Sequence, residues 1–426
     1  MGWKNHPRAV LAALLAVHVL AHIDRNMLLG FSPQVTRELA LSNAQYGLLT
    51  GAVWVLSFGV MAVVLGSLAD RFSRTWVMAG GILVWSACTA ASGAAQDFGQ
   101  MVAARFFVAS GEAALVPAAI SLLTEIFPDR RRGGAIGVFF MGIPLGIGFS
   151  FVLAGTLGAA EGWRTTFFLL GAVGVACALP LLLLPDRRAA VAAPAPAQRT
   201  PVRAHLRAVV ATLREAPAVA PTIVGFVLVH MAFAGLAFTQ LWLVRERGLD
   251  AATIARQVGM LQLAFGALGA LVGGFVGDGA ARRMRGGHAG FILLLLAVCG
   301  PLMLAYRFAA PGSLLFYAGM CAGFFLPLAT YGPANALIQS QTPPHMRSTM
   351  TGVTMMLINL FAIAGGNLAV GAVSDRLAAG AHAAPLTAVL LATDLAALAS
   401  AFFFLRAAVR GRAPLPDAPP VQAVLH

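Results

Sequence analysis

Four charged residues stand inside long apolar stretches of the chain: Asp24 and Arg25 late in the first stretch, Arg105 and Glu112 within the fourth. A charge inside a transmembrane helix costs at least about 2.5–3.5 kcal/mol on insertion scales, so it normally faces a partner or a water-filled cavity. A carboxyl group placed there can take up and release a proton, because apolar surroundings favour its neutral form and a nearby guanidinium its charged form. Arginines so placed can grip phosphate or carboxylate with a fork of donors. Depth decides which of the four can meet. If the first helix enters the hydrocarbon near Val10, Asp24 lies about 21 Å along it, roughly 9 Å short of the far boundary. The fourth helix runs the other way from about Phe98, which places Arg105 about 10 Å below that same boundary and able to pair with Asp24. Glu112 is roughly 10 Å deeper on nearly the same helix face, close to the midplane. Glu112 is therefore the leading proton carrier and Asp24 the next, with Arg25 and Arg105 as substrate or coupling groups; permanently paired structural charges are the plainer alternative.

Such chemistry needs helices that span a membrane, and the composition supplies them. Of 426 residues 59% are hydrophobic and 11% charged, with mean hydropathy +0.82, whereas soluble domains run near 25% charged. The apolar residues come in blocks about 20 long, each enough to cross a ~30 Å hydrocarbon core. The spacing predicts twelve helices, at roughly 8–31, 45–69, 75–95, 98–126, 133–160, 163–184, 219–244, 254–278, 287–307, 311–341, 348–374 and 383–406. Lys4 and Arg8 ahead of the first block resemble a signal peptide, but the block is too long and holds Asp24 and Arg25, so it reads as a retained helix. Cys88, Cys177, Cys299 and Cys321 all fall inside apolar blocks, where thiols behave as small hydrophobes, and point to neither disulfides nor a metal.

The net charge of +13 could suggest nucleic acid, but most of the 29 Lys and Arg residues fall in the segments on the N-terminal side of the membrane. That bias expects both termini in the cytoplasm of a multi-pass protein, with a bacterial inner membrane as its setting, and no nucleic-acid partner. The one long polar interruption, 185–217, is rich in Pro, Ala and Arg and reads as a cytoplasmic linker with a short amphipathic helix around His205 to Arg214. It divides the chain into an N-terminal six-helix unit, 1–184, and a C-terminal unit with a short tail, 218–426.

The halves also repeat. After the second helix stands GSLADRFSRT, Gly66 to Thr75, and after the eighth GGFVGDGAARR, Gly273 to Arg283, so that Asp70 and Asp278 lie about half a chain apart. Gly66 allows close helix packing, and Asp70 can accept from the positive N-terminal end of a facing helix, so the loop with Arg71 and Arg74 could latch one half against the other; a solvated charged turn is the simpler reading. Gly66, Leu68, Ala69, Asp70, Arg71 and Arg74 resemble the loop signature of the major facilitator superfamily, with PDRRRGG (Pro128 to Gly134) and GWR (Gly162 to Arg164) where that superfamily has further signatures. The resemblance implies an all-α membrane protein of twelve helices in two pseudo-symmetric six-helix bundles, with Asp278 as the degenerate second latch.

A narrower resemblance lies in AHIDRN (Ala21 to Asn26), the run from Ala103 to Arg132, and FFMGIPLGIGFSFVLAG (Phe139 to Gly155). These are similar to the spinster-type transporters, which have an Asp-Arg pair in helix 1 and an Arg and a Glu in helix 4; Leu241 to Leu249 is a weaker C-terminal match. What this implies is proton-linked movement of lysolipids or sphingoid phosphates. GIPLGIG, Gly142 to Gly148, also resembles helix 5 of drug and proton antiporters, a weak pointer to export.

The C-terminal half offers its cavity little charge. His230, Phe233 and Trp242 on the seventh helix, Asn335 on the tenth and Asn359 on the eleventh are candidate substrate contacts, an aromatic and weakly polar wall suited to an amphiphile with an anionic head. Packing or lipid contact is the bland reading of each, and His22 and His230, at repeat-equivalent places, read first as packing histidines. Asp394 on the last helix has no explanation in the sequence. No Walker loop, metal-ligand spacing or nucleophile elbow is present, so the expectation is a monomeric, proton-driven transporter without cofactor or metal, for a lysolipid or else for a small organic anion or drug. An intramembrane enzyme or a signalling receptor is the reading from another class.

Overall fold

The computed structural model of the chain describes residues 6–182 and 202–410, apart from the side chains of Val63, Gly66, Ser67, Ala69, Asp70, Arg71, Pro180, Leu182 and 202–206. The surroundings of Gly66, the side chains of Asp70 and Arg71, and most of the 185–217 linker therefore lie outside what is described. Among those described, twelve helices are long and apolar enough to cross a membrane: α1 (Pro7–Gly30), α2 (Asn43–Ala62, its helix running on to Arg71), α3 (Arg74–Ala94), α4 (Phe98–Ile126), α5 (Asp129–Gly155), α6 (Leu157–Leu179), α7 (Val219–Arg245), α8 (Ala251–Arg283), α9 (Gly287–Ala305), α10 (Leu314–Gln341), α11 (Pro344–Ala379) and α12 (Pro385–Arg410). All twelve expected blocks are present. A separate helix, Val202–Glu215, lies where the linker was expected to carry an amphipathic one.

Short polar residues start these helices by taking up backbone N–H groups that have no partner in the first turn. Ser42 and Gln45 form a reciprocal capping box at α2, Asp97 accepts from Gln100 N at 2.8 Å at α4, and Asp250 accepts from Thr253 N at 2.8 Å at α8. The expected fifth helix runs too far in the sequence reading: α5 ends at Gly155, and Gly162 (φ +80) turns the backbone inside the next element. The GWR residues then act as a staple on the loop face. Trp163 Nε1 and Arg164 Nε donate to Glu38 at 2.5 and 2.9 Å, and Arg164 Nη1 caps the carbonyls of Gly93 and Ala95 at the end of α3.

Within the first half α1 packs on α5, and α3 on α4 and α6; within the second α7 packs on α12, and α9 on α10 and α12. Between halves, the first turns of α2 meet the last turns of α11, and the last turns of α5 meet the first turns of α8. The other ends, Asp129–Phe140 of α5 and Arg347–Leu357 of α11, pack against helices of their own half. The halves are thus closed together at the face away from Pro7 and Arg410 and parted at the face where those two residues lie. This closure combines small residues and polar bonds with buried apolar side chains that run across both halves, among them Phe151, Ala154, Ile254 and Val258. A Cβ on Gly47 would collide with the Asn367 carbonyl oxygen, and one on Gly371 with that of Asn43, so α2 and α11 approach backbone to backbone.

Among the described residues, four stretches have wide turns with i→i+5 bonding: Leu48–Ala52 in α2, Gln262–Gly266 and Val272–Val276 in α8, and Ile358–Gly365 in α11. Three of these four lie on or next to the surfaces where the halves meet.

Candidate functional site

The intramembrane charges gather where α1, α2 and α4 face one another. The Arg25 guanidinium lies 3.4 Å over the ring of Trp54, and the same indole donates from Nε1 to Glu112 Oε2 at 2.9 Å. Trp54 thus joins a cation and a carboxylate through one side chain: its face attracts the guanidinium and its edge the anion. Phe58 stacks on its ring at 4.5 Å, and Ser57 Oγ donates to the Phe106 carbonyl at 2.5 Å, which fixes α2 against α4 at this level. Glu112 is 6% exposed and its Oε1 has no hydrogen-bond partner. The carboxylate therefore keeps an open acceptor position beside Arg25.

The expected ion pair between Asp24 and Arg105 does not form. Arg105 instead donates to the main-chain carbonyls of Asp24 (Nη1, 3.1 Å) and Arg25 (Nη2, 2.7 Å), clasping the α1 backbone. The Asp24 carboxylate turns toward α3 and is wholly buried against Trp85 and Thr89, the two side chains placed to donate to it. Ser86 Oγ, on the same helix, is buried without a hydrogen-bond partner. The contact from Arg105 to the Asp24 carbonyl sets the two residues at one height, but height along a helix does not fix the direction of a side chain around it. Asp24 and Glu112 thus touch different side chains, those of α3 and the Trp54 stack, yet stay within electrostatic reach of one another and of Arg105.

On the facing half His230 is 4% exposed, donates from Nδ1 to the Phe226 carbonyl at 2.8 Å, and lies among the rings of Phe226, Phe233 and Tyr331. Asn335 donates to the Tyr331 carbonyl at 2.9 Å, and Asn359 is half-buried in the wide turns of α11. Trp242 is not part of that group. It is fully buried, donates to Thr387 Oγ1 at 2.7 Å, and carries the Arg307 guanidinium 4.8 Å over its ring. Arg307 pairs bidentately with Asp394 at 2.7 and 3.3 Å, both 3% exposed, which accounts for the acid on α12. Two glycines of the GIPLGIG run sit against α1, Gly142 on His18 and Gly146 on His22, while Gly148 meets Leu263 of α8; His18 Nδ1 donates to the Phe139 carbonyl at 2.8 Å.

Of the expected latch residues, Arg74 is 3% exposed and binds Glu125 (2.5 Å) and Ser121 (3.2 Å), both on α4, while Asp278 is exposed and faces His288 at 3.1 Å. A latch that the sequence reading did not single out closes the opposite face. Asp375, near the end of α11, accepts the backbone N–H groups of Asn43 (3.0 Å) and Ala44 (2.8 Å) at the start of α2. Arg245 of α7 bonds Asn43 Oδ1 and Thr36 Oγ1 alongside, and Asn367 donates to Thr50 Oγ1 at 3.1 Å. The signal was available: Gly371, Asp375 and Arg376 repeat the Gly-x-x-x-Asp-Arg spacing of Gly66, Asp70 and Arg71.

Comparison with known proteins follows the same lines. The family model described as Major Facilitator Superfamily matches residues 14–366. An MFS-type efflux pump of Mycolicibacterium smegmatis is 28% identical over 88% of this chain and 86% of that protein. Protein spinster of Drosophila melanogaster is 25% identical over 88% of this chain, which spans 63% of the fly protein. Among solved structures, a bacterial homologue of the human lysosomal transporter spinster, inward-facing and unoccupied, superposes with a TM-score of 0.80 at 23% identity, covering 95% of this chain and 97% of that one.

Proposed function

Because the chain belongs to the major facilitator superfamily and is a membrane transporter of the spinster type rather than an enzyme, we propose that it moves an amphiphilic anion, of the lysolipid or sphingoid-phosphate kind, in a proton-coupled alternating-access cycle. The observation that carries this reading is the stack of Arg25, Trp54 and Glu112 at the centre of the N-terminal bundle. While Glu112 is a carboxylate, Arg25 has a counter-charge beside it. Once Glu112 takes a proton that counter-charge is gone, and the guanidinium is left to seek an anion from the substrate. Proton and anion binding thereby favour each other. Arg105 clasps the α1 carbonyls with Nη1 and Nη2 and so holds Arg25 and Asp24 in place beside the headgroup site. The rings around His230 and Phe233 on the other half offer an apolar surface for the substrate's tail.

The cycle then requires the closed face to part. Asp375, Arg245 and Asn367 must release α2, while the Asp70 loop, with Gly66, Arg71 and Arg74, and its copy at Asp278 would hold the opposite face in the alternate state. In this proposal the chain is a monomer with both termini in the cytoplasm of a bacterial inner membrane, 185–217 linking units 1–184 and 218–426. Cysteines placed at 190–200 should be labelled from the cytoplasmic side alone; labelling from outside overturns the orientation.

The decisive assay is flux in proteoliposomes with and without a pH difference, for wild type and Glu112→Gln. The amide mimics the protonated acid permanently, so the variant should retain exchange and lose acceleration by the gradient. If it still responds fully, the proton travels elsewhere and Asp24 is next to test. The mycobacterial efflux pump supports a second reading, export of small organic anions or drugs. Competition of each substrate class against lysolipid flux separates the two.

A further inference from the structure

At the membrane face away from the termini, two cavities of about 280 and 330 Å³ adjoin through Gln257 and Tyr317, in the cleft between the starts of α8 and α10. Their volumes sit at the lower end of small-ligand sites, roughly 300–1,000 Å³. The cleft is graded in a particular order. Asp250 caps the first turn of α8, Arg256 stands about 9 Å further along the helix, and Met260, 60% exposed, about 6 Å beyond that. Leu314, at the start of α10, is 86% exposed, as a lipid-facing residue would be. The acid, the base and the apolar surface therefore succeed one another from the membrane boundary inward.

We propose that this cleft binds a bilayer phospholipid with a zwitterionic headgroup: phosphate on the Arg256 guanidinium, protonated amine on Asp250, and an acyl chain along Met260 and Leu261. The order of charges matches that of the lipid, in which the amine lies outermost, the phosphate below it and the chains deepest. Arg256 gives one donor to the Gly155 carbonyl of α5 (3.2 Å) and one to Thr253 Oγ1 (3.2 Å), which leaves further N–H groups of its five for an anion. The Tyr317 hydroxyl, at present donating to Gln257 Oε1 at 3.2 Å, is at the same level and can turn to the phosphate. Because Arg256 also ties α8 to α5 across the two halves, the lipid would bear on the seam that closes this face.

The test is native mass spectrometry of the purified full-length protein, titrated with short-chain phosphatidylethanolamine, phosphatidylglycerol and diacylglycerol. Wild type should hold phosphatidylethanolamine best. Arg256→Gln should weaken both phospholipids by about tenfold, the loss of one charge-assisted contact. Asp250→Asn should weaken phosphatidylethanolamine alone, and because Asn caps a helix about as well as Asp, the fold is kept. An unchanged lipid-free melting temperature in both variants shows that binding, not folding, has altered; a fall in either moves its test to Arg256→Lys, which must then keep both phospholipids better than Arg256→Gln. Equal retention of all three lipids by wild type, or unchanged adducts in the variants, overturns the site.

Discussion

Removing the carboxylate of Asp375 should tip the resting population of the protein toward opening at the face it now closes. The side chain accepts two backbone N–H groups at the head of α2, at 3.0 and 2.8 Å, from a position on the other half of the molecule. Hydrogen bonds to a charged group contribute about 1.5–3 kcal/mol each, and a carboxylate at a helix N-terminus adds about 0.3–1 kcal/mol. Asp375 is half-buried, so water recovers much of this when the halves part. A net of about 2 kcal/mol is the reasonable figure, which corresponds to roughly a thirtyfold change in the ratio of closed to open. Asp375→Ala should show the whole effect and Asp375→Asn, with one acceptor left, about half of it. Spin labels at Arg37 and Arg376, both exposed and on opposite halves, report the separation of that face directly by pulsed dipolar spectroscopy. A distance distribution identical in wild type and Asp375→Ala would mean that the glycine contacts of α2 and α11 alone decide the closure, and the latch argument would fail.

Trp54→Phe keeps a ring under Arg25 but deletes the donor to Glu112, so flux should respond less to a pH gradient while substrate exchange persists; an unchanged response would reduce the indole bond to packing. Asp394→Ala strands Arg307 in a site 3% exposed, at a cost of about 3–5 kcal/mol, and should lower the melting temperature, with Asp394→Ala/Arg307→Met restoring much of it. Trp163 first and then Arg164 hold the Glu38 carboxyl below its usual value. A depressed native value gives stability that is full above the unfolded value and is lost as pH falls through the native one, so the loss should come below about pH 4. Glu38 is largely exposed, which limits the effect to under about 1 kcal/mol; a Trp163→Phe protein with an unshortened acid limb in its melting curve would place the effect elsewhere.

The helices were legible because each needs about twenty apolar residues and little else, and α4, read as 98–126, falls on Phe98–Ile126. The four intramembrane charges were legible for the same reason, since each breaks an apolar run. Trp54 was not, because a tryptophan in an apolar run carries no mark distinguishing core from site until its neighbours are known. Asp394 has no explanation in the sequence because its partner Arg307 stands 87 positions away, at the end of the ninth predicted helix, and only the fold brings the two into contact. Asp375 could have been found by extending the motif search to the end of the eleventh helix.

The wide turns of α2, α8 and α11 bear on how the chain can change in length. Dropping one residue from an ordinary α-helix rotates everything beyond it by about 100°, which in a packed bundle points the wrong side chains at the lipid. A turn bonded i→i+5 already holds one residue more than the α form, so it can lose that residue and become α-helical with modest disturbance to either flank. Single-residue gaps between this chain and its relatives should therefore collect within Leu48–Ala52, Gln262–Gly266, Val272–Val276 and Ile358–Gly365. Elsewhere in the spans they should be purged. A deletion scan through α11 would meet its most tolerant positions between Ile358 and Gly365, the stretch that must also keep α11 closely fitted to α2.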